Sequence, residues 1–281
     1  RWTVRLGILT DAHLCPPGTP PDGCHNPYAF DRAEALLAQA LSAHRADGVD
    51  GLAVLGDLAN GGDEPSMQRA FDLLAGARLP TWLVPGNHDR DEDPARLAAL
   101  VRRGGPGIRL GHPAGEVVGG IRLAGLPITG HVSGGEWLVE AASIAGWGSD
   151  PVVLLSHFPV LPREAAVRGA GLRYVGSFED RDGIAAGLLG RASPTVVVHG
   201  HLHLRDAVAD GAVLQIGCAA LIEPPHERAI VAIDLGRDEP RVRVTHLPVT
   251  ASPPVRLPVL SPRNGEWVFR GGSWVEIPTD A

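Results

Sequence analysis

Five short apolar runs in this chain end in side chains able to hold a cation. ILTDAH closes on Asp11 and His13, AVLGD on Asp57, LVPGNHD on Asn87, His88 and Asp89, VLLSH on His157, and VHGHLH on His201 and His203. Runs of this length and composition read as buried strands, and ligand sites in α/β sheets lie beyond the carboxyl ends of strands. The five endings are therefore expected to meet on one edge. Side chains alternate along an extended segment, so Asp11 with His13, and His201 with His203, should each offer two donors to one side. Gly56, Gly86 and Gly200 precede these residues, where a missing Cβ lets the backbone turn sharply or approach a ligand.

The rest of the chain supplies the frame for such an edge. VRLGILT predicts a strand, and DRAEALLAQALSAH a helix capped by Asp31. GLAVLG, EPSMQRAFDLLAGA and TWLVPG then predict strand, helix and strand, an alternation that favours a parallel sheet covered by helices. From Glu116 the texture changes. EVVGGIRLAGLPIT predicts a hairpin, GEWLVEAASIAGW a helix and PVVLLS a strand. Further hairpins are expected around Asp210-Gly211 and around residues 236–239, which makes the second half mostly antiparallel. Residues 251–263 are Pro-rich, and EWVFRGGSWVEI predicts a last hairpin around Gly271 and Gly272. One domain over residues 1–250 with a C-terminal appendage over 251–281 is the expected organisation.

Composition narrows the function. No apolar run approaches the roughly 20 residues of a membrane helix. The net charge is −7 and all 25 basic residues are Arg, without the basic stripe that a nucleic-acid duplex requires. Cys15, Cys24 and Cys218 lack zinc-finger spacing and are too few for a disulfide scaffold. They fit reduced thiols in a cytoplasmic protein, with a Cys15 to Cys24 bridge as the alternative. The sequence opens without Met, so a trimmed start or a missing leader is expected, and it carries no signal of oligomeric state.

The donors are Asp11, Asp57, Asn87, His13, His157, His201 and His203. Mixed imidazole and oxygen ligands suit Mn, Fe or Zn. Seven are too many for one tetrahedral ion and about right for two divalent ions sharing a carboxylate.

In order along the chain, DAH (Asp11 to His13), GD (Gly56, Asp57), GNHD (Gly86 to Asp89), SHFP (His157) and GHLH (Gly200 to His203) resemble the motif series of the calcineurin-like metallophosphoesterases. The resemblance implies a four-layer α/β/β/α sandwich with two mixed β-sheets. It also implies a dinuclear site, with Asp11, His13, Asp57 and His203 on one ion and Asp57, Asn87, His157 and His201 on the other. His88 would be the non-ligand histidine facing the substrate, oriented by Asp89, and His199 a buried neighbour of the ligands. The implied chemistry is phosphoester hydrolysis, in which a hydroxide shared by two ions attacks phosphorus and protonated His88 assists the leaving oxygen.

The pattern is most similar to the cyclic-nucleotide and glycerophosphodiester phosphodiesterase branch, so a small phosphodiester is the expected substrate. A phosphomonoesterase or nucleotide pyrophosphatase would use the same site, and a non-catalytic scaffold or a nuclease are further alternatives. Substrate choice is expected in residues 14–28, 130–136 and 162–182, with His25, Asn26, Arg163, Arg168, Arg173 and Tyr174 as candidates.

Overall fold

The alternation in the first half builds one side of a sheet. β1 (Val4–Leu9), β2 (Gly51–Val54), β3 (Thr81–Leu83) and β4 (Ile108–Leu110) are parallel neighbours in that order. Between them run α1 (Ala33–Ala46), α2 (Glu64–Ala77) and α3 (Pro94–Arg103). A computed structural model describes residues 3–89, 94–131, 137–139, 147–236, 238–251, 256–262 and 264–278. In α1 the stripe Leu36, Leu37, Ala40, Leu41 and His44 is buried, and in α2 the stripe Met67, Ala70, Phe71 and Leu74. The Asp63 carboxylate starts α2 by accepting the Ser66 N–H at 2.9 Å, an N-cap bond. Asp31 does not cap α1 as expected. The chain enters through a 3₁₀ turn at Phe30–Arg32, where the Arg32 N–H is already satisfied by the Ala29 carbonyl. The sequence reading contains no counterpart of α3, although Leu97, Leu100 and Val101 stand at helical spacing.

The second half supplies β5 (Glu116–Val118), β6 (Ile121–Leu126), β7 (Ile128–His131), β8 (Trp137–Val139) and β9 (Val152–Ser156). After α4 (Glu164–Gly169) and α5 (Arg181–Leu189) come β10 (Thr195–His199), β11 (Asp206–Asp210) and β12 (Val213–Gly217). The chain ends in β13 (Glu227–Asp234), β14 (Arg241–Pro248), β15 (Asn264–Arg270) and β16 (Ser273–Ile277). The predicted hairpins form at β5 with β6, β11 with β12, β13 with β14, and β15 with β16. Antiparallel pairings do predominate in the second half, as expected, but in the core of the smaller sheet β6, β9, β10 and β12 pair in parallel. Those pairings join strands far apart in sequence, which local turn signals do not register. The helix expected over GEWLVEAASIAGW is also corrected: Trp137–Val139 is a strand paired with β7, and residues 135, 136 and 140–146 lie outside the described residues.

Two mixed sheets result, with orders β16-β15-β14-β13-β1-β2-β3-β4 and β11-β12-β10-β9-β6-β5. Strand pleating divides their apolar residues between layers. Leu6, Ile8, Val153, Leu155, Val196 and Val198 face the space between the sheets. Leu9, Leu52 and Val54 turn outward onto α1 and α2, while Leu154, Val197 and Val213 turn outward onto Ile184, Ala185 and Leu188 of α5. The layers are therefore α/β/β/α. The last hairpin continues the larger sheet: β15 pairs with β14, and Trp267 and Trp274 enter the inter-sheet core. No helix among the described residues is long and apolar enough to cross a membrane.

Candidate metal centre

The five polar endings meet at a seam between the two sheets. β1, β2 and β3 of the larger sheet deliver Asp11, His13, Asp57, Asn87 and His88, while β9 and β10 of the smaller deliver His157, His201 and His203. Ligand-capable atoms gather in three overlapping groups, each within 4.8 Å: Asp11, His13 and His203; Asp57, His157 and His201; and His13, Asp57 and His88. Asn87 joins the second group through Oδ1, 2.9 Å from His157 Nε2.

The two-residue spacing has a different cause from the pleat expected of it. These residues lie beyond the strand ends in the left-handed region, with φ of 54° at Asp11, 47° at His13, 63° at His201 and 53° at His203; Asp57 is at 53°. Such values are uncommon outside glycine, though Asp and His are enriched among the exceptions, and strained backbone persists only where its surroundings enforce it. Here neighbouring loops zip together. Asp11 N–H donates to Gly56 O (3.0 Å), His13 N–H to Asp57 O (2.9 Å) and Leu14 N–H to Leu58 O (2.8 Å). The glycines behave as their positions suggested. A Cβ on Gly86 would stand 2.1 Å from Asp57 Oδ1, and one on Gly200 would collide with Thr10 Oγ1.

Several imidazoles are held by Nδ1, which leaves Nε2 available. His13 Nδ1 lies 3.0 Å from Asn60 Oδ1, His157 Nδ1 2.7 Å from the Leu55 carbonyl and His88 Nδ1 2.6 Å from the Asn60 carbonyl. An acceptor at Nδ1 fixes the tautomer that presents a lone pair at Nε2, the arrangement that orients metal-binding histidines. Buried His13 Nε2 and His201 Nε2 have no hydrogen-bond partner, a condition that costs about 1–3 kcal/mol for each group left unpaired.

Charge accumulates in this buried space. Burial works against ionised Asp11, but the His203 imidazole, 3.2 Å from Oδ1, lowers its pKa to about 2. Burial likewise opposes ionised Asp57, and His157 at 3.4 Å holds it well below the usual carboxylate range. His157 overcomes its own desolvation through Asp57 and rises to about 9. Burial keeps His13 and His201 neutral, at about 4 and about 3.

Sequence reasoning misassigned Asp89. Its carboxylate does not orient His88; it accepts the N–H groups of Ala59 (3.0 Å) and Gly86 (2.9 Å), pinning the 86–89 loop to the loop after β2. The Asn60 carbonyl orients His88 instead. Burial and then the Asp57 charge raise the Asp89 pKa to about 7.

A cleft of about 180 Å³ opens on these residues, with Tyr28, Cys24 and Arg173 in its walls. The other expected substrate contacts are engaged elsewhere. His25 Nε2 lies 2.8 Å from the Leu202 carbonyl, Arg163 is bound to the buried Asp206 carboxylate, Tyr174 Oη donates to Glu164, and Asn26 bonds Pro224 and Arg256. Arg168 packs over the Tyr174 ring. Of the segment 130–136, residues 132–136 lie outside the described residues. Cys15 and Cys24 are free thiols, so the alternative bridge is not formed, and buried Cys218 packs between the sheets. His199 is buried with Nδ1 at 2.9 Å from the Gly200 carbonyl.

Three contributors were missed. Tyr28 packs its ring against His13 and His203 at 5.1 and 5.5 Å. Asn60 holds two histidines at once. Buried Glu223 accepts the N–H groups of Cys24 and His25 and lies 3.7 Å from His203 Nδ1. Glu223 ends the apolar run Ala219–Ile222, the same signal that marked the other endings.

The family model described as calcineurin-like phosphoesterase matches residues 4–205. A curated relative from Rhodopseudomonas palustris, named a probable cyclic nucleotide phosphodiesterase, is 36% identical over 106 residues, which are 37% of this chain and 36% of that protein. The match thus spans about a third of the relative's length. The crystal structure of a dimetal phosphatase from Danio rerio superposes with a TM-score of 0.66 at 14% identity, covering 89% of this chain and 98% of that one, a likeness of fold. The family match extends over well more than half of the residues, and the chain belongs to the calcineurin-like phosphoesterases, a family of phosphoester hydrolases.

Proposed function

We propose that this protein hydrolyses small phosphodiesters with two divalent ions. The observation that carries the reading is the pair of buried trios, Asp11, His13 and His203 beside Asp57, His157 and His201, with unpaired donor atoms aimed into the seam. This donor set fits borderline divalent ions such as Mn, Fe or Zn. Asp11, His13 and His203 would hold one ion and His157, His201 and Asn87 the other, with Asp57 between them. Bound there, such ions supply Lewis acidity toward phosphoryl oxygens and lower the pKa of water.

The remaining residues bind and orient. His88 lines the cleft with Nδ1 tied to the Asn60 carbonyl, which leaves Nε2 for the substrate; with the ring protonated on both nitrogens, Nε2–H would pass its proton to the leaving oxygen. Asp89 fixes the loop that carries Asn87 and His88. Among the described residues Arg173 is the one guanidinium that lines the cleft, and Asp22 lines it as well. That charge suits a singly charged diester better than a dianionic monoester. The name of the Rhodopseudomonas relative supports the same substrate class.

The test is a pair of substrates. Protein loaded with Mn should cleave bis-p-nitrophenyl phosphate faster than p-nitrophenyl phosphate. Asp57→Asn should abolish turnover and weaken metal binding, while His88→Ala should retain both ions and lose turnover by about 10²- to 10⁴-fold. A strong monoester preference would overturn the diester reading in favour of a phosphomonoesterase.

A further inference from the structure

A second concavity of about 760 Å³ lies beside the cleft, bounded by the 14–21 loop and the start of α1. Tyr28 lines both spaces, and Leu14 in the groove wall directly follows His13. The two spaces therefore adjoin, with Tyr28 as their common wall. The volume falls within the range of small-molecule sites, about 300–1,000 Å³.

The chemistry of the lining selects what can enter. Tyr28 and Phe30 form an edge-to-face aromatic pair with centroids 5.5 Å apart and planes at 78°. Asp31 and Glu34 add two carboxylates, and Arg69, the lone cation of the lining among the described residues, is paired with Glu34 at 3.2 Å. Arg69 also donates to the Cys15 carbonyl and to Ser66 Oγ. The groove therefore keeps a net negative charge beside aromatic rings, a combination that attracts organic cations and quaternary ammonium groups. It repels a second phosphate or a carboxylate.

We infer that this groove is the subsite for a cationic, ammonium-bearing organic substituent of the diester substrate. The assignment rests on the phosphodiesterase reading and adds the identity of the group that leads away from phosphorus. Tyr28 sits at the junction, where its ring packs against His13 and His203 and faces both spaces.

Two measurements keep this inference separate from the reading beneath it. The first compares p-nitrophenyl phosphorylcholine with methyl p-nitrophenyl phosphate, which share a leaving group and one negative charge at the phosphoryl group. The choline ester should have at least a tenfold higher kcat/KM, and Asp31→Lys should shrink that ratio at least fivefold. Equal kcat/KM for the two esters would overturn the groove assignment while leaving diester hydrolysis intact. The second measurement needs no turnover: phenyltrimethylammonium is titrated into the protein and followed by ligand-observed NMR. Saturable binding that weakens in Asp31→Lys is the expected result. No binding at millimolar concentrations would refute the subsite. Binding without hydrolysis of either ester would instead overturn the phosphodiesterase reading and leave the cation site standing.

Discussion

Replacing Gly86 with Ala tests whether the seam is held as tightly as its contacts imply. The new Cβ would lie 2.1 Å from Asp57 Oδ1, 2.7 Å from Asp57 Cγ and 2.5 Å from the Asp57 backbone nitrogen. Ordinary non-bonded contacts begin near about 3.5 Å, so the two loops must part by roughly 1 Å or more. A rotamer change cannot relieve this, because one clashing atom is main chain. Asp57 is also tied in place, since Oδ1 accepts the His88 N–H at 2.8 Å and the Gly86 N–H itself donates to Asp89. Overpacking of this kind costs about 1–3 kcal/mol, and a displacement of about 1 Å in a reacting geometry costs on the order of 10²-fold in rate.

The expected result for Gly86→Ala is a loss of about 10²-fold in kcat/KM on bis-p-nitrophenyl phosphate, weaker metal binding by calorimetry, and a lower urea midpoint. Gly76→Ala is the matched control. It lies in α2 with open space where its Cβ would be, so it should gain about 0.5–1 kcal/mol from helix propensity and leave activity unchanged. Gly86→Ala with activity and metal affinity within threefold of the parent would refute the view that Gly86 is required by close approach.

Further predictions follow from the residues around the centre and from one histidine remote from it. Asp89→Asn keeps a single acceptor for two N–H donors and turns an amide NH₂ against the other, so it should cost about 1–3 kcal/mol in urea unfolding; an unchanged midpoint would count against the loop-pinning role. Asn60→Ala removes the acceptor for His13 Nδ1 but keeps the carbonyl that holds His88, and should lower metal affinity by about 10- to 100-fold in a calorimetric titration. His44 is buried, and desolvation followed by the nearby Arg228 charge lowers its pKa from 6.5 to about 4. Its imidazole therefore stays neutral in the fold while the unfolded chain takes up a proton, so stability is full above pH 6.5 and is lost as pH falls toward 4. The loss approaches about 3 kcal/mol, and His44→Gln should show a shallower decline in unfolding free energy between pH 7 and 5 than the parent.

Much of the fold was legible because local patterns carried it. The apolar stripe of α1 and the Gly-centred turns of four hairpins are each decided by residues within a few positions of one another. The parallel pairing of β6, β9, β10 and β12 was not legible, since it joins segments whose proximity depends on how helices pack over a sheet. At the expected C-terminal appendage, the turn signal named the hairpin, but only the tertiary structure placed β15 against β14 and Trp267 between the sheets.

The centre divides along the same line. Sequence alone supplied the donor chemistry, because Asp, Asn and His at the ends of apolar runs are costly to bury without a purpose. It also supplied the close-approach glycines. Tertiary structure decided that the donors converge from two sheets, and that left-handed backbone, rather than strand pleating, aims Asp11, His13, His201 and His203. It assigned the support of His88 to a main-chain carbonyl of Asn60, engaged His25, Arg163 and Tyr174 elsewhere, and brought Tyr28 and Glu223 to the site. A hydrogen bond to a carbonyl, or a ring packed on a distant imidazole, leaves no pattern along the chain; it exists only once the loops have been folded against one another.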